Sequence, residues 1–137
     1  MPLFRILLIE DDEDDVMLFK DALQAADMPA NTIELLDDGE RVLEYFNDGP
    51  ELPHVIVMDM NLPRMHGREI MKHIRANPRF DEVPLIVLTT SSAREDMEYS
   101  TAHGANAYII KPCNLPGIRK MAKDILAIAA GNHSVKD

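Results

Sequence analysis

The stretch His54-Val55-Ile56-Val57-Met58-Asp59, followed by Met60-Asn61-Leu62-Pro63, decides how the chain folds. A short apolar run stops abruptly on a carboxylate. A run of this length bounded by turn formers reads as a buried strand. Asp59 then stands at the strand's carboxyl end, the edge where open α/β sheets bind ligands. Taken alone, Asp59 reads more readily as a turn starter, a common place for aspartate. The ends of the other strands weigh against that simpler reading.

Working outward, Leu3 to Ile9 is apolar except for Arg5 and ends at Glu10-Asp11-Asp12-Glu13-Asp14-Asp15. Val16, Phe19, Leu23 and Ala26 recur at helical spacing, so an amphipathic helix follows, and Met28-Pro29-Ala30-Asn31 stops it. Thr32 to Leu36 predicts a short second strand. Val42, Leu43 and Phe46 predict a second helix, which Gly49-Pro50 ends. Beyond the loop from Met60 to Gly67, Ile70, Met71 and Ile74 line a third helix that stops at Asn77-Pro78. Pro84 to Thr89 is the fourth strand. Ala93 to His103 is a weak helix with few apolar anchors, and Gly104 is its cap. Asn106 to Ile110 is the fifth strand. Ile118, Met121, Ala122, Ile125 and Ala129 stripe the last helix, which Gly131-Asn132 ends. Most of these strands are continuous apolar runs, so both their faces are buried. That predicts an α/β fold with a parallel sheet between two helical layers, joined by right-handed crossovers.

The 137 residues suggest one domain, with a core spanning about residues 3–130, and 46% hydrophobic content suffices to build that core. No apolar run approaches the roughly 20 residues of a membrane helix. The start runs straight into a strand-like segment, so no secretory signal is expected. A single cysteine, Cys113, excludes an internal disulfide framework and fits a reducing cytoplasm. A net charge of -10 argues against nucleic acid as a partner. No linker to an output domain is visible, so output is expected from this domain's own surface.

A parallel sheet gathers the carboxyl ends of its strands on one side. The first strand delivers Glu10, Asp11 and Asp12 there, the third Asp59, the fourth Thr89 and the fifth Lys111. Separately, Thr89 and Thr90 read as ordinary strand residues, Lys111 as a surface lysine and Pro112 as a strand terminator. Glu13, Asp14 and Asp15 read as the solvated start of a helix, where negative charge is favoured, with Asp12 and Asp15 forming an approximate cap. Convergence on one edge changes the reading of the first group. Two carboxylates about 4 Å apart repel by roughly 4 kcal/mol at an effective dielectric near 20, so a cluster of three needs a proton or a cation. Hard oxygen ligands favour Mg²⁺ over zinc. The chemistry this suits is phosphoryl transfer to a carboxylate. Asp59 is the nucleophile, a metal offsets charge, and Lys111, Thr89 and loop N–H groups hold the other oxygens.

Ile9-Glu10-Asp11, Met58-Asp59-Met60-Asn61-Leu62-Pro63 with Met65-His66-Gly67, Leu88-Thr89 and Tyr108-Ile109-Ile110-Lys111-Pro112 occur in order. Together they resemble the receiver domain of bacterial two-component response regulators, over roughly Leu3 to Ala129. The resemblance implies a flavodoxin-like (βα)5 three-layer sandwich with strand order 2-1-3-4-5. It implies Asp59 as phosphoacceptor, Asp11 as direct metal carboxylate, Glu10 reaching the metal through water, and Asn61 joining through its backbone carbonyl. Thr89 and Tyr108 match the switch pair, Lys111 the lysine that pairs with phosphoryl oxygens, and the Lys111-Pro112 bond is expected cis. His66 departs from the acidic residue commoner at its position, and is expected to be exposed. Gly49-Pro50-Glu51-Leu52-Pro53, Asn77-Pro78-Arg79-Phe80 and Leu88-Thr89-Thr90-Ser91 further resemble small single-domain regulators that pair with bacterial phytochromes and other sensor kinases.

The function this implies is a phosphoacceptor protein rather than an enzyme acting on a substrate. A sensor histidine kinase donates to Asp59 with Mg²⁺ as cofactor, and the fourth-helix, fifth-strand and last-helix face shifts to bind a partner. Homodimerisation through Tyr108 and Ile109 is one expectation, with buried core as the simpler reading of Ile109. Two alternatives stand beside it. One is a pseudo-receiver that binds partners without taking phosphate, against which the set Asp11, Asp59, Thr89 and Lys111 argues. The other is an aspartyl-phosphate phosphatase, which needs an acid two residues after the nucleophile, where this chain has Asn61.

Overall fold

Each apolar run forms a strand and each amphipathic stripe a helix. The computed structural model describes residues 4–26, 31–48, 52–62 and 65–131. In chain order the elements are β1 (Phe4–Ile9), α1 (Glu13–Ala25), β2 (Asn31–Leu36), α2 (Gly39–Asp48), β3 (Val55–Met58), β4 (Asn61–Leu62), β5 (Met65–His66), α3 (Gly67–Ala76), a 3-10 turn at Pro78–Phe80, β6 (Leu85–Thr89), α4 (Arg94–Ala102), β7 (Ala107–Ile110) and α5 (Leu115–Ala129). The five-stranded sheet runs β2-β1-β3-β6-β7, all neighbours parallel. This is the expected 2-1-3-4-5 order, because β6 and β7 are the fourth and fifth strands of that sheet.

Alternation along the strands divides the interior in two. Ile6 and Leu8 of β1, Val55 and Val57 of β3, and Ile86 and Leu88 of β6 meet α1 and α5 through Val16, Phe19, Leu23, Ala122 and Ile125. Leu7, Ile9, Ile56, Met58, Leu85 and Val87 face the other way, onto Val42 and Phe46 of α2, Ile70, Met71 and Ile74 of α3, and Phe80. That is why the central strands read as unbroken apolar runs.

The helix boundaries have local causes. Asp12 caps α1 by accepting the Asp15 N–H at 3.0 Å, as the acidic run suggested. Asn77 ends α3 and caps the 3-10 turn, and its side chain also donates to the Phe46 carbonyl at 2.8 Å. Gly104 takes φ +87° just past α4, a conformation that suits glycine. α4 is lightly anchored: Ala93 gives it no side-chain cap and Ser100 is its one fully buried residue.

The structure departs from expectation at several points. Asn31, assigned to the stop after the first helix, belongs to β2, while Met28, Pro29 and Ala30 lie outside the described residues, as do Gly49, Pro50, Glu51, Pro63, Arg64 and Asn132. The stretch from Met60 to Gly67, read as plain loop, carries the antiparallel β4-β5 ribbon, with Asn61 beside His66. The Lys111-Pro112 bond is trans, for no cis peptide occurs among the described residues. Trans is the intrinsically favoured X-Pro isomer by about 0.5–1 kcal/mol. No helix among the described residues is long and apolar enough to cross a membrane.

Candidate functional site

The sheet's hydrogen bonding continues one residue past its strands. The Glu10 N–H donates to Leu36 O at 3.1 Å, Asp59 N–H to Ile9 O at 3.0 Å, and Lys111 N–H to Thr89 O at 2.8 Å. Three polar residues are thereby pinned at one edge by backbone rather than by their own side chains. Each follows by two positions a residue packed toward α1 and α5, namely Leu8, Val57 and Ile109. The period of two along a strand therefore sends all three side chains to the same side.

They meet there. Lys111 Nζ donates to Glu10 Oε1 at 2.6 Å, to Asp15 Oδ2 at 2.6 Å and to Asp59 Oδ2 at 2.8 Å. An ammonium has three donors, and each one faces a carboxylate. Asp59 Oδ1 accepts the Asn61 N–H at 3.1 Å, and Glu10 Oε2 accepts those of Asp11 and Asp12 at 3.1 and 3.3 Å. Glu10 and Asp59 are buried, at 4% and 7% exposure. Burial pushes the Glu10 carboxyl above the ordinary range, and the Asp59 charge adds to this against the pull of Lys111. For Lys111 burial would lower the ammonium, but the hydrogen bonds it donates to Asp15, Asp59 and Glu10 outweigh it and hold it above its usual value.

Asp15 corrects the reading of the acidic run. It is no merely solvated helix residue, since it forms an ion pair with Lys111. One turn of α1 carries it back over the sheet edge, which a run of six acids in sequence does not reveal. The cation that the carboxylates require is, first, this lysine. Three carboxylates around one ammonium still leave negative charge in excess. Among the described residues no three His, Cys, Asp or Glu side chains close around a metal on their own. The side chains of Asp11 and Asn61 are exposed. Two buried carboxylates, an exposed third and no nitrogen or sulfur donor fit a hard cation that keeps much of its water, as Mg²⁺ does, and do not fit zinc.

Thr89 is fully buried at the end of β6, and its Oγ1 accepts the Ser91 N–H at 3.3 Å. The half-buried Tyr108 packs against the α2–α3 side of the core and donates its hydroxyl to Ser91 O at 2.8 Å. The two switch candidates are thus joined through one residue, Ser91. The Ser91 hydroxyl in turn donates to Asp96 at 2.8 Å, and Asp96 pairs with Arg68 at 3.2 Å. Sequence reasoning did not foresee the roles of Asp96 and Arg68, which come together across 28 residues. His66 is exposed as expected, and also caps α3 by accepting the Arg68 N–H at 3.1 Å.

A family profile described as the response regulator receiver domain matches residues 6–123. The chain is similar to response regulator Rcp1 of Synechocystis, at 33% identity over 125 residues covering 88% of this chain and 84% of that protein. It is similar in structure to the Mn²⁺-bound form of response regulator Rcp1, with TM-score 0.81 and 28% identity over 98% of this chain and 99% of that one. It is similar also to the phosphorylated cyanobacterial phytochrome response regulator RcpA, with TM-score 0.84 and 27% identity over 99% of this chain and all of that one (100%). With its parallel sheet, its carboxylate and lysine edge and this match over most of its length, the chain belongs to the response regulator receiver domain family.

Proposed function

We propose that this protein is a phosphoacceptor switch in which Asp59 takes a phosphoryl group from a sensor histidine kinase. The observation that carries the reading is the Asp59 carboxylate, buried at the sheet edge with Lys111 at 2.8 Å. An Asp59 oxygen attacks phosphorus while the donor's P–N bond breaks. The bonding pair returns to the imidazole nitrogen, which takes a proton from solvent, and an aspartyl phosphate remains. Lys111 exchanges a carboxylate for a phosphoryl oxygen. The Thr89 hydroxyl, now an acceptor for Ser91, turns to another oxygen, and Tyr108 follows through Ser91.

Glu10, Asp11, Asp59 and the Asn61 carbonyl would hold Mg²⁺, which when bound supplies positive charge to the acceptor and phosphoryl oxygens. The Mn²⁺-bound and phosphorylated relatives support this part of the reading. The kinase is a bacterial phytochrome in the narrower form of the proposal, which the likeness to RcpA supports. The switched surface is the face of α4, β7 and α5, where Ile110 is 47% exposed and Tyr108 and Ile109 are half-buried, and it pairs with a second copy or another protein. The protein works in the cytoplasm and catalyses only its own phosphorylation and dephosphorylation.

Intact mass after incubation with a small-molecule phosphodonor and Mg²⁺ tests the proposal. The wild type gains one phosphoryl group, while Asp59→Asn and chelator-treated protein gain none. A folded wild type that stays unmodified sinks the reading and leaves a phosphate-independent binding module.

A further inference from the structure

Lys111 has one partner that the proposed chemistry does not use. Glu10 and Asp59 stand at strand ends, where the acceptor and the metal need them. Asp15 stands on α1, with its side chain 34% exposed, and comes as close to the ammonium as Glu10 does, at 2.6 Å. Lys111, Glu10 and Asp15 line one recess together with the apolar Leu8, Phe19, Leu88 and Met121. α1 is itself anchored there, since Phe19, four residues on from Asp15, is buried in the core. Asp15 is thus fixed from two sides, by the cap at Asp12 and by the helix's buried face.

We infer that Asp15 is a positioning residue that retains the Lys111 ammonium at the sheet edge when Glu10 and Asp59 are taken up by a divalent cation and a phosphoryl group. The inference rests on the proposed role of that edge. Without Asp15 the ammonium has only Glu10 and Asp59 to pair with, and it competes with the cation for both. With Asp15 it gives up those contacts one at a time and stays within reach of the phosphoryl oxygens. A residue that merely supplied charge to the start of a helix would act on a bound cation equally well with Lys111 absent.

The test compares wild type, Asp15→Asn, Lys111→Met and the double variant by two measurements that involve no phosphoryl transfer. The first is the Mg²⁺ dissociation constant by titration calorimetry. Asp15→Asn weakens binding about fivefold when Lys111 is present and less than twofold when it is replaced, a coupling of the size neighbouring residues show. Equal weakening in both backgrounds overturns the inference, and so does a wild type that binds no Mg²⁺. The second is the ¹H–¹⁵N signal of the Lys111 ammonium, identified by its absence in Lys111→Met. It is resolved in the wild type and lost to solvent exchange in Asp15→Asn, whereas a signal unchanged by Asp15→Asn overturns the inference. Failure of Asp59 to accept a phosphoryl group would be read separately, from the mass experiment.

Discussion

Glu10 bears the conflict built into the site. It is a buried carboxylate near Asp59, and its carboxyl is raised mainly by burial. An acid raised in the folded state binds more protons folded than unfolded, over the window between its ordinary value and the raised one. Stability therefore falls as pH rises through that window. Glu10→Gln removes the charge and keeps one acceptor oxygen, for the Asp11 and Asp12 N–H groups or for Lys111 but not for both. Thermal unfolding across the acid-to-neutral range should show a higher midpoint for Glu10→Gln at neutral pH and a flatter dependence. A lower midpoint at neutral pH would mean that the Lys111 pairing and the acceptor the amide lacks together outweigh the burial cost. Asp59, Glu10 and Lys111 were legible in the chain because each closes an apolar run, and parity then sends them to one side. Asp15 was not, because nothing in a run of acids tells which of them the helix turns inward.

Element by element, stability is unevenly spread, and α4 lies at the low end. With no side-chain cap and one fully buried residue, it depends on side-chain bonds. Ser91 and Arg68 both bond Asp96, Arg68 sits 4.9 Å from the centre of the Tyr99 ring, and the Tyr99 hydroxyl donates to Arg68 O at 3.4 Å. The Asp96 carboxyl is held below its usual range, first by the Ser91 hydroxyl and then by Arg68. A depressed acid stabilises the fold above its unfolded value, and that contribution is lost as pH falls through the depressed one. Arg68 is 38% exposed, so solvent screens its ion pair to about 0.5 kcal/mol. Asp96→Asn should therefore raise amide exchange in α4 by a fewfold, with β1 and β3 unaffected. Uniform acceleration across the chain would place the effect in global stability instead. The helix itself was legible as a weak pattern. Its tie to α3 was not, because Arg68 and Asp96 are surface residues until the fold sets them side by side.

Taken as a whole, the molecule has two apolar layers, and the polar edge rests on both. On the α2–α3 side, Phe80 is fully buried and meets Phe46 edge-on with ring centres 4.7 Å apart. Phe80→Ala should cost about 3–5 kcal/mol, from lost burial and the cavity left behind. Urea unfolding followed by circular dichroism measures it, and a loss below about 1 kcal/mol would mean that this layer collapses to fill the gap. The periodicity of apolar residues depends only on local geometry, period two in strands and 3.6 in helices, so the sequence by itself determined the five helices, the five strands of the parallel sheet and the edge that collects Glu10, Asp59, Thr89 and Lys111. Contacts between residues far apart in the chain leave no period behind. The tertiary structure alone decided that Lys111 is shared by three carboxylates including Asp15 and that Ser91 joins Thr89 to Tyr108. Each of these depends on distances that exist only once the helices are packed against the sheet.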